Sequence, residues 1–327
     1  MVDAARPKAR SALADGQALP DQQSILAQWP SDAPLLLSMV CIAYNHEPYI
    51  EQTLNGFLMQ NTPFAWEIIC YDDCSSDATR ELISRYVARY PKLISAVFPE
   101  QNQQSQGIKP FAEQIIPRCR GRYIARCEGD DYWTDPDKVR KQVEYLQAHP
   151  DTVLVTHDIQ SINSSGELLD AGHLAEFYKR DFNSRDLRQG WAGPVTQAML
   201  FRNVIQQFPP EIRRADMGDV FLASLLGQFG GAHFMADIKP SMYRLHEGGM
   251  FSGLAASDKT DMQEQTFFWL YKYYKRSGQH EDARAYRLKA LEKSLRHVGL
   301  TDLLRLVLAR VAGLNIRKLI SRSTGGA

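Results

Sequence analysis

The sequence lacks a long apolar run, a secretion signal and a net charge. Its most apolar late stretch, Leu303 to Ile316, is interrupted by Arg305 and Arg310, so no run of 18 apolar residues is available to span a membrane. The first twenty residues contain no apolar core segment, which argues against a signal peptide. Lys and Arg together number 38, as do Asp and Glu. This balance gives no support to a nucleic-acid-binding role, and we expect a cytoplasmic protein.

Cysteine is scarce, and its spacing does not suggest a metal site. The five cysteines make an odd number, and no second pair follows Cys70 and Cys74 at zinc-site spacing. Three of the five lie in or at the end of strand-like runs, where a free thiol acts as a small buried hydrophobe. We therefore expect free thiols and a reducing compartment. The two common phosphate-binding loops, G-x-G-x-x-G after the first strand and G-x-x-x-x-G-K-[ST], are also absent.

The first 160 residues alternate between short apolar runs and amphipathic segments. Strands are predicted at 35–44, 66–72, 93–98, 122–128 and 152–158, and helices at 47–60, 75–90, 109–119 and 135–147. This order predicts an α/β fold, an α/β/α sandwich around a mostly parallel, mixed sheet. In such sheets ligands bind outside the carboxyl ends of the strands, near a switch in strand order.

The rhythm changes after residue 160. A hairpin at 161–170, a strand at 195–202 and a short helix at 219–230 precede a region that is helical from about residue 258. Between Tyr271 and the C-terminus there are 13 Lys or Arg and 4 Asp or Glu, a local charge of +9. The sequence is therefore expected to divide into a flexible lead-in at 1–33, an α/β body at 34–257 and a basic C-terminal helical region at 258–327.

Two groups of acids follow predicted strands. Asp72 and Asp73 end the second strand, and Glu128, Asp130 and Asp131 follow the fourth. A helix N-terminus also attracts carboxylates, but that explanation fits Asp135 better than these acids. Like charges at this density repel one another unless a cation lies among them. We therefore expect both groups in one crevice, with a divalent ion such as Mg²⁺ at Asp130.

Four segments, in order, resemble the nucleotide-sugar half of the family-2 glycosyltransferases of the GT-A fold, in particular their bacterial capsule and O-antigen branch. They are VCIAYNHEPYIEQTL, EIICYDDCSSDATREL, EQNQQSQG and GRYIARCEGDDYWTDPDKVRKQVEYL. Two later segments, MGDVFLASLLGQFG and YRLHEGGMFSG, are similar to acceptor-side motifs of that branch. The resemblance implies a nucleotide-sugar half at 34–135 and an acceptor half at 136–257.

The resemblance also implies a role for each matching residue. Asp72 and Asp73 match the pair that contacts base and ribose. Glu128-Gly129-Asp130 matches the D-x-D signature, in which Asp130 would bind the metal, Mn²⁺ or Mg²⁺. Glu128 stands where many members of the family have Asp. Asp219 matches the general base, although it also suits a helix cap. His246, with Arg244 near it, matches a loop that closes on the diphosphate or metal. The full set of expected substrate-binding residues is Ala43, Tyr44, Glu47, Asp72, Asp73, Glu128, Asp131 and Arg244.

The implied activity is inverting, metal-dependent transfer from a nucleotide sugar, expected to be UDP-linked. The implied acceptor is a growing surface glycan, free or carried on a polyprenyl diphosphate, and nucleic acid is not an expected partner. A sugar-1-phosphate nucleotidyltransferase and an inactive nucleotide-sugar-binding scaffold are the alternatives. The first normally needs a Gly-rich basic loop where this chain has AYNHEPY. For the basic C-terminal region, helices with a solvated face and peripheral contact with an anionic membrane are both open.

Overall fold

The computed structural model describes residues 18–170, 174–193, 195–249 and 253–296, together with Leu303, Leu304 and Val307. Its first half alternates as the sequence predicts, with the elements α1 (Gln22–Leu26), β1 (Leu35–Ala43), α2 (Ile50–Leu58), β2 (Ala65–Asp72), α3 (Thr79–Arg89), β3 (Ile94–Val97), β4 (Tyr123–Glu128), α4 (Lys138–Ala148) and β5 (Thr152–Thr156). The helical stretch expected before β4 forms a π turn, Phe111–Ile115, and a 3-10 turn, Ile116–Arg118.

The second half contains shorter elements and ends in two long helices. They are β6 (Ile159–Ile162), β7 (Leu168–Asp170), α5 (Ser184–Arg188), β8 (Leu200–Arg202), α6 (Gly218–Leu226), β9 (Gly231–Phe234), β10 (Ser241–Arg244), α7 (Ala256–Arg276) and α8 (His280–Leu295). The expected hairpin at 161–170 is confirmed, because β6 and β7 pair antiparallel. The expected strand at 195–202 is shorter, since residues 196–198 form a 3-10 turn.

The main sheet has seven strands in the order β3-β2-β1-β4-β8-β5-β9, and a small sheet has the order β10-β6-β7. In the main sheet β8 is antiparallel to both of its neighbours, and the other pairs are parallel. The chain order reverses at β1, which has β2 on one side and β4 on the other. The carboxyl ends of these three strands form the crevice where such sheets bind ligands.

Two apolar layers cover the main sheet. Alternate residues of β1 divide between them: Met39 and Cys41 pack in the layer with α2, α3 and α4, whereas Val40 packs in the layer with α6, α7 and α8. This alternation follows from the period of two along a strand. The α/β/α sandwich is therefore confirmed. All five cysteines are free, and Cys41, Cys70 and Cys127 are buried in the core.

Residues 18–33, predicted to be part of a flexible lead-in, instead contain α1 and pack against the sandwich. Asp21 caps α1 by accepting a 2.7 Å hydrogen bond from the Ser24 amide. Ile25 is buried in the core, and the Trp29 ring lies edge-on to Trp66 at 5.3 Å between centroids.

The segment 18–33 is also bonded to the sandwich, since the Pro20 carbonyl accepts from the Tyr90 hydroxyl at 3.0 Å and Gln22 accepts from the Lys92 amide at 2.8 Å. These are contacts across the fold, which periodicity does not detect. Residues 1–17 of the expected lead-in lie outside the described residues.

The helices α7 and α8 form a hairpin that packs on the sandwich through Leu270, Tyr274, Ala283 and Tyr286. The helical region expected from residue 258 is therefore observed as far as Leu295. Within the described residues no helix is both long and apolar enough to span a bilayer. The stretch from Leu303 to Ile316, for which membrane contact is an open prediction, lies outside the described residues apart from Leu303, Leu304 and Val307.

Candidate active site

The two acidic groups meet at the carboxyl edge of the sheet, as the sequence predicts. In the strand register Ala43 is opposite Asp72, and Ile42 is opposite Glu128. Backbone hydrogen bonds continue this pairing past the strands, since the Asp73 amide donates to the Ala43 carbonyl at 2.9 Å. Parallel pairing of β2, β1 and β4 thus brings together acids that are 55 or more residues apart in the sequence.

On the β2 side, the carboxylates are engaged by the loops around them. Asp72 is fully buried, and its oxygens accept hydrogen bonds from the Ser75 amide, at 3.2 Å, and the Ser75 hydroxyl. Burial raises the pKa of Asp72, and the bonds from Ser75 oppose that rise. Asp73 accepts from the amides of Gln103, at 2.8 Å, and Gln104, at 3.0 Å. Asp73 therefore anchors the loop that carries the EQNQQSQG segment.

The loop after β1 is tied to the loop after β2. Asn45, with a φ of 55°, accepts a 2.8 Å hydrogen bond from the Ser76 amide. A carboxylate oxygen of Glu47 accepts from the Ala78 amide at 3.2 Å. Tyr44 lies directly after β1 and just before these two fixed points, and it is 48% exposed. The result is a braced loop that presents one aromatic ring beside Asp72.

The third group of polar side chains surrounds Asp130. Its Oδ2 lies 2.9 Å from Nε2 of His246 and 3.7 Å from Nε2 of His46. One donor atom from each of the three residues lies within 4.8 Å of the others. Burial acts to raise the pKa of Asp130, but the hydrogen bond from His246 and the two histidine charges hold it below its usual value. Two imidazoles and a carboxylate are suitable donors for a divalent ion such as Mn²⁺.

Gly129 allows this convergence. A Cβ on Gly129 would lie 2.8 Å from Nδ1 of His46 and 3.0 Å from Cβ of Ala43. Any side chain at this position would therefore displace His46 or the end of β1. The middle residue of the Glu128-Gly129-Asp130 signature is small for a packing reason.

Asp219 shares an electrostatic neighbourhood with Glu128. Arg126 forms an ion pair with Glu128, and its charge also lowers the pKa of Asp219. Burial is the main influence on the pKa of Asp219 and raises it, with the Val220 amide opposing the rise. Asp219 is in the first turn of α6, whose N-cap is Met217, and its Oδ1 accepts from the Val220 amide at 2.8 Å. Asp219 is therefore not the residue at the cap position.

Asp131 and Arg244, both expected at the substrate, are only 2% exposed and bond to the protein itself. Asp131 accepts a 2.8 Å hydrogen bond from the Arg244 amide. The Arg244 guanidinium donates to the Asp130 carbonyl at 2.9 Å and to Gln52 at 2.6 Å, and it lies 4.4 Å above the Tyr49 ring. In this structure the pair braces the end of β10 against the D-x-D turn and so positions His246.

Two residues of this site are absent from the sequence-based set. His46 lies in the loop after β1, between Tyr44 and Glu47, which are both in the predicted set. Its position just after a strand end is the signal in the sequence that would have identified it. Arg126 precedes Glu128 by two residues in β4 and therefore shares its face of the sheet. Asp130 and His246, by contrast, are in that set and lie together here, and Asp219 is near enough to Glu128 to raise its pKa. Their roles at a substrate stay predictions.

Comparison with known proteins defines the family. The sequence profile described as Glycosyl transferase family 2 matches residues 38–208, just over half of the chain. The chain therefore belongs to glycosyl transferase family 2. The uncharacterized protein Rv1520 of Mycobacterium tuberculosis is 34% identical over 224 residues, which are 66% of this chain and 60% of the relative. The chain thus spans less than two thirds of that relative's length.

Solved structures confirm the GT-A fold. TarS 1-349 of S. aureus, solved in complex with UDP-GlcNAc, has a TM-score of 0.59 and 17% identity, and the match covers 82% of this chain and 78% of TarS 1-349. The mannosyltransferase PcManGT of Pyrobaculum calidifontis, solved with GDP-Man and Mn²⁺, has a TM-score of 0.51 and 15% identity, covering 86% and 83%. At these identities the likeness establishes the fold alone.

Proposed function

We propose that the protein is an inverting, metal-dependent glycosyltransferase that moves a sugar from a nucleotide diphosphate sugar to a hydroxyl of a glycan or lipid-linked glycan. One observation carries the proposal. The braced loops beside Asp72, the cluster at Asp130 that could hold a metal ion and the half-buried Asp219 lie along one sheet edge, at the switch in strand order. A sugar transfer needs a site for the donor nucleotide, a site for the leaving diphosphate and a base for the acceptor, arranged in that order along the edge.

The donor nucleotide lies against the β1 and β2 loops. The exposed Tyr44 ring offers a surface on which a base stacks. Asp72 offers a carboxylate acceptor for a base N–H or for ribose hydroxyls, and Asp73 holds the 102–104 loop in place. We propose a UDP-linked donor. The structures of TarS with UDP-GlcNAc and PcManGT with GDP-Man support a nucleotide sugar in this fold.

The leaving diphosphate lies at Asp130. Asp130 and His246 would hold a divalent ion there, Mn²⁺ or Mg²⁺, which when bound would supply Lewis-acid stabilisation of the negative charge on the leaving group. Glu128 is turned to Arg126 instead, and so it orients groups beside the ion. Arg244 keeps the His246 loop in register by bonding to the backbone carbonyl of Asp130.

The acceptor lies on the α6 side. Asp219 takes the proton from the acceptor hydroxyl while that oxygen bonds to the anomeric carbon and the bond from that carbon to the diphosphate breaks. Arg126 favours the charged, proton-accepting form of Asp219. One base facing one leaving group gives a single displacement, which inverts the anomeric centre. A surface polysaccharide as acceptor is proposed from the acceptor-side motifs of the sequence.

Donor binding and turnover test the proposal together. The full chain is mixed with UDP-, GDP- and dTDP-sugars, with and without Mn²⁺, and its thermal unfolding is followed. A ligand at 100 times its Kd should add about 2.7 kcal/mol to stability. We expect stabilisation by a UDP-sugar that requires the ion, and release of UDP when an acceptor glycan is added. The anomeric configuration of the product, followed by NMR, should be opposite to that of the donor.

Two outcomes would contradict the proposal. Stabilisation by a nucleoside triphosphate and a sugar 1-phosphate, with release of pyrophosphate, would indicate a nucleotidyltransferase. Binding of a nucleotide sugar without turnover across a panel of acceptors and without slow hydrolysis of the donor would indicate a scaffold.

A further inference from the structure

His46 approaches the same oxygen of Asp130 as His246 does. The Nε2 atoms of the two histidines lie 3.7 Å and 2.9 Å from Oδ2 of Asp130. Two ligands bound about 2.1 Å from one ion lie about 3.0 Å apart in octahedral geometry and about 3.4 Å apart in tetrahedral geometry. The observed spacings bracket these values. These two spacings, with all three donor atoms within 4.8 Å of one another, suit three corners of one coordination polyhedron.

The His46 ring has no hydrogen bond within the described residues. Its Nδ1 is buried without a partner, and its Nε2 lies beyond hydrogen-bond distance from Asp130. The His46 side chain is only 13% exposed. Buried polar groups normally have a partner. The fully buried His157 follows that rule, since its ring nitrogens lie 3.0 Å from the Ala198 carbonyl and 2.8 Å from the Ser241 hydroxyl.

The backbone holds His46 in place. Its amide donates to the Thr79 hydroxyl at 2.8 Å, and its carbonyl accepts from the amides of Tyr49 and Ile50, both at 2.9 Å, where α2 begins. Gly129 leaves the space that the ring occupies. Three hydrogen bonds fix the His46 backbone, and its buried ring has no hydrogen bond of its own to any described residue, so the ring is available for a ligand from outside the chain.

We propose that His46 is a third protein ligand, with Asp130 and His246, of a site that prefers a first-row transition ion to Mg²⁺ and binds it before any nucleotide arrives. Imidazole nitrogen favours such ions, whereas Mg²⁺ favours oxygen and keeps several waters. Three protein donors also make the ion less dependent on phosphate oxygens for its affinity. This inference deepens the proposed function, because it concerns the ion that is assigned there to Asp130 and His246.

Binding of Mn²⁺ to the nucleotide-free full chain tests the inference directly. Electron paramagnetic resonance follows the free Mn²⁺ signal during titration of the wild type, His46→Gln, Asp130→Ala and the control His149→Gln, whose exposed ring stacks on Tyr145. We expect His46→Gln to weaken Mn²⁺ binding by at least about tenfold, as even the loss of a group that only orients a ligand can do. Competition by Mg²⁺ should become stronger in the same variant. His149→Gln should match the wild type.

A spectroscopic measurement on the wild type does not depend on how the variants fold. Electron spin echo modulation of bound Mn²⁺ should show coupling to nitrogens from two imidazoles, and from one imidazole in His46→Gln. Coupling to one imidazole in the wild type would overturn the inference, and so would unchanged Mn²⁺ affinity in a folded His46→Gln protein or the lack of nucleotide-free binding. Sugar transfer by the wild type would still support the proposed function in those cases. If bound Mn²⁺ shows coupling to two imidazoles but the protein transfers no sugar, the proposed function is refuted and the assignment of His46 as a ligand stands.

Discussion

The two sides of the crevice use their carboxylates differently. On the β2 side, side-chain oxygens accept hydrogen bonds from backbone amides: Asp73 from Gln103 and Gln104, and Glu47 from Ala78. On the β4 side, carboxylates lie against charged or titratable side chains, as Glu128 does against Arg126 and Asp130 against two histidines. One side is a frame already completed by the chain itself. The other pairs Glu128 with Arg126 and leaves Asp130 against two histidines that could share an ion with it.

This difference has a physical reason and a consequence. Backbone amides are fixed dipoles, so carboxylates that bind them fix the shape of a loop and rarely change state. Buried charges that face one another are costly to keep unless an ion, a substrate or a proton compensates them. We therefore expect changes on the β2 side to alter stability and donor affinity, and changes on the β4 side to alter the chemical step.

The largest effect is expected at Asp219. Asp219→Asn keeps the shape of the side chain and its hydrogen bond from the Val220 amide, but an amide cannot take a proton from the acceptor. Loss of a general base typically lowers the rate by about 10²–10⁴-fold. Pre-steady-state transfer with saturating donor measures the chemical step, and donor affinity should remain close to that of the wild type.

A matched control separates chemistry from helix effects. Asp186 also lies in the first turn of a helix, α5, so Asp186→Asn removes a comparable charge away from the site and should leave transfer unchanged. A wild-type rate in Asp219→Asn would assign the base to another residue. Loss of donor binding in Asp219→Asn would instead mean that Asp219 supports donor binding rather than the chemical step.

The sequence predicted the strands and the strand-end acids better than it predicted what those acids bond to. Alternation of apolar runs and amphipathic segments is a local signal, and parallel pairing then forces Asp72 and Glu128 to one edge. The partner of Asp131 is the amide of Arg244, 113 residues later. No local pattern encodes such a contact. The hydrogen bonds of Arg244 within the protein and the approach of His46 to Asp130 are also tertiary contacts, which local patterns do not predict.

The second prediction concerns the hydrogen bonds of Asp73 on the β2 side of the crevice. Asp73→Ala leaves the amides of Gln103 and Gln104 without their acceptor and frees the 102–104 loop. Leaving a partly buried donor unsatisfied typically costs about 1–3 kcal/mol. We expect a lower free energy of unfolding in urea and a higher KM for the nucleotide sugar, whereas kcat at saturating donor changes little.

Asp32→Asn is the control for this prediction, because Asp32 is an exposed acid before β1. It should change neither the unfolding free energy nor the KM. A large fall in kcat for Asp73→Ala, with stability preserved, would mean that Asp73 acts on the reacting groups and that the contrast between the two sides is wrong.

The smallest effect is expected from Arg126, and it appears as a shift in pH dependence. Burial raises the pKa of Asp219 and the charge of Arg126 opposes that rise, so Arg126→Gln should raise this pKa further. Asp219 accepts a proton only when ionised, and activity is lost as the pH falls through its pKa. The acid limb of the kcat/KM profile should therefore move to higher pH in Arg126→Gln, and stay close to that of the wild type in Arg126→Lys. An acid limb that does not move in a folded Arg126→Gln enzyme would mean that Arg126 serves Glu128 alone, and that the base is tuned by burial without help from this cation.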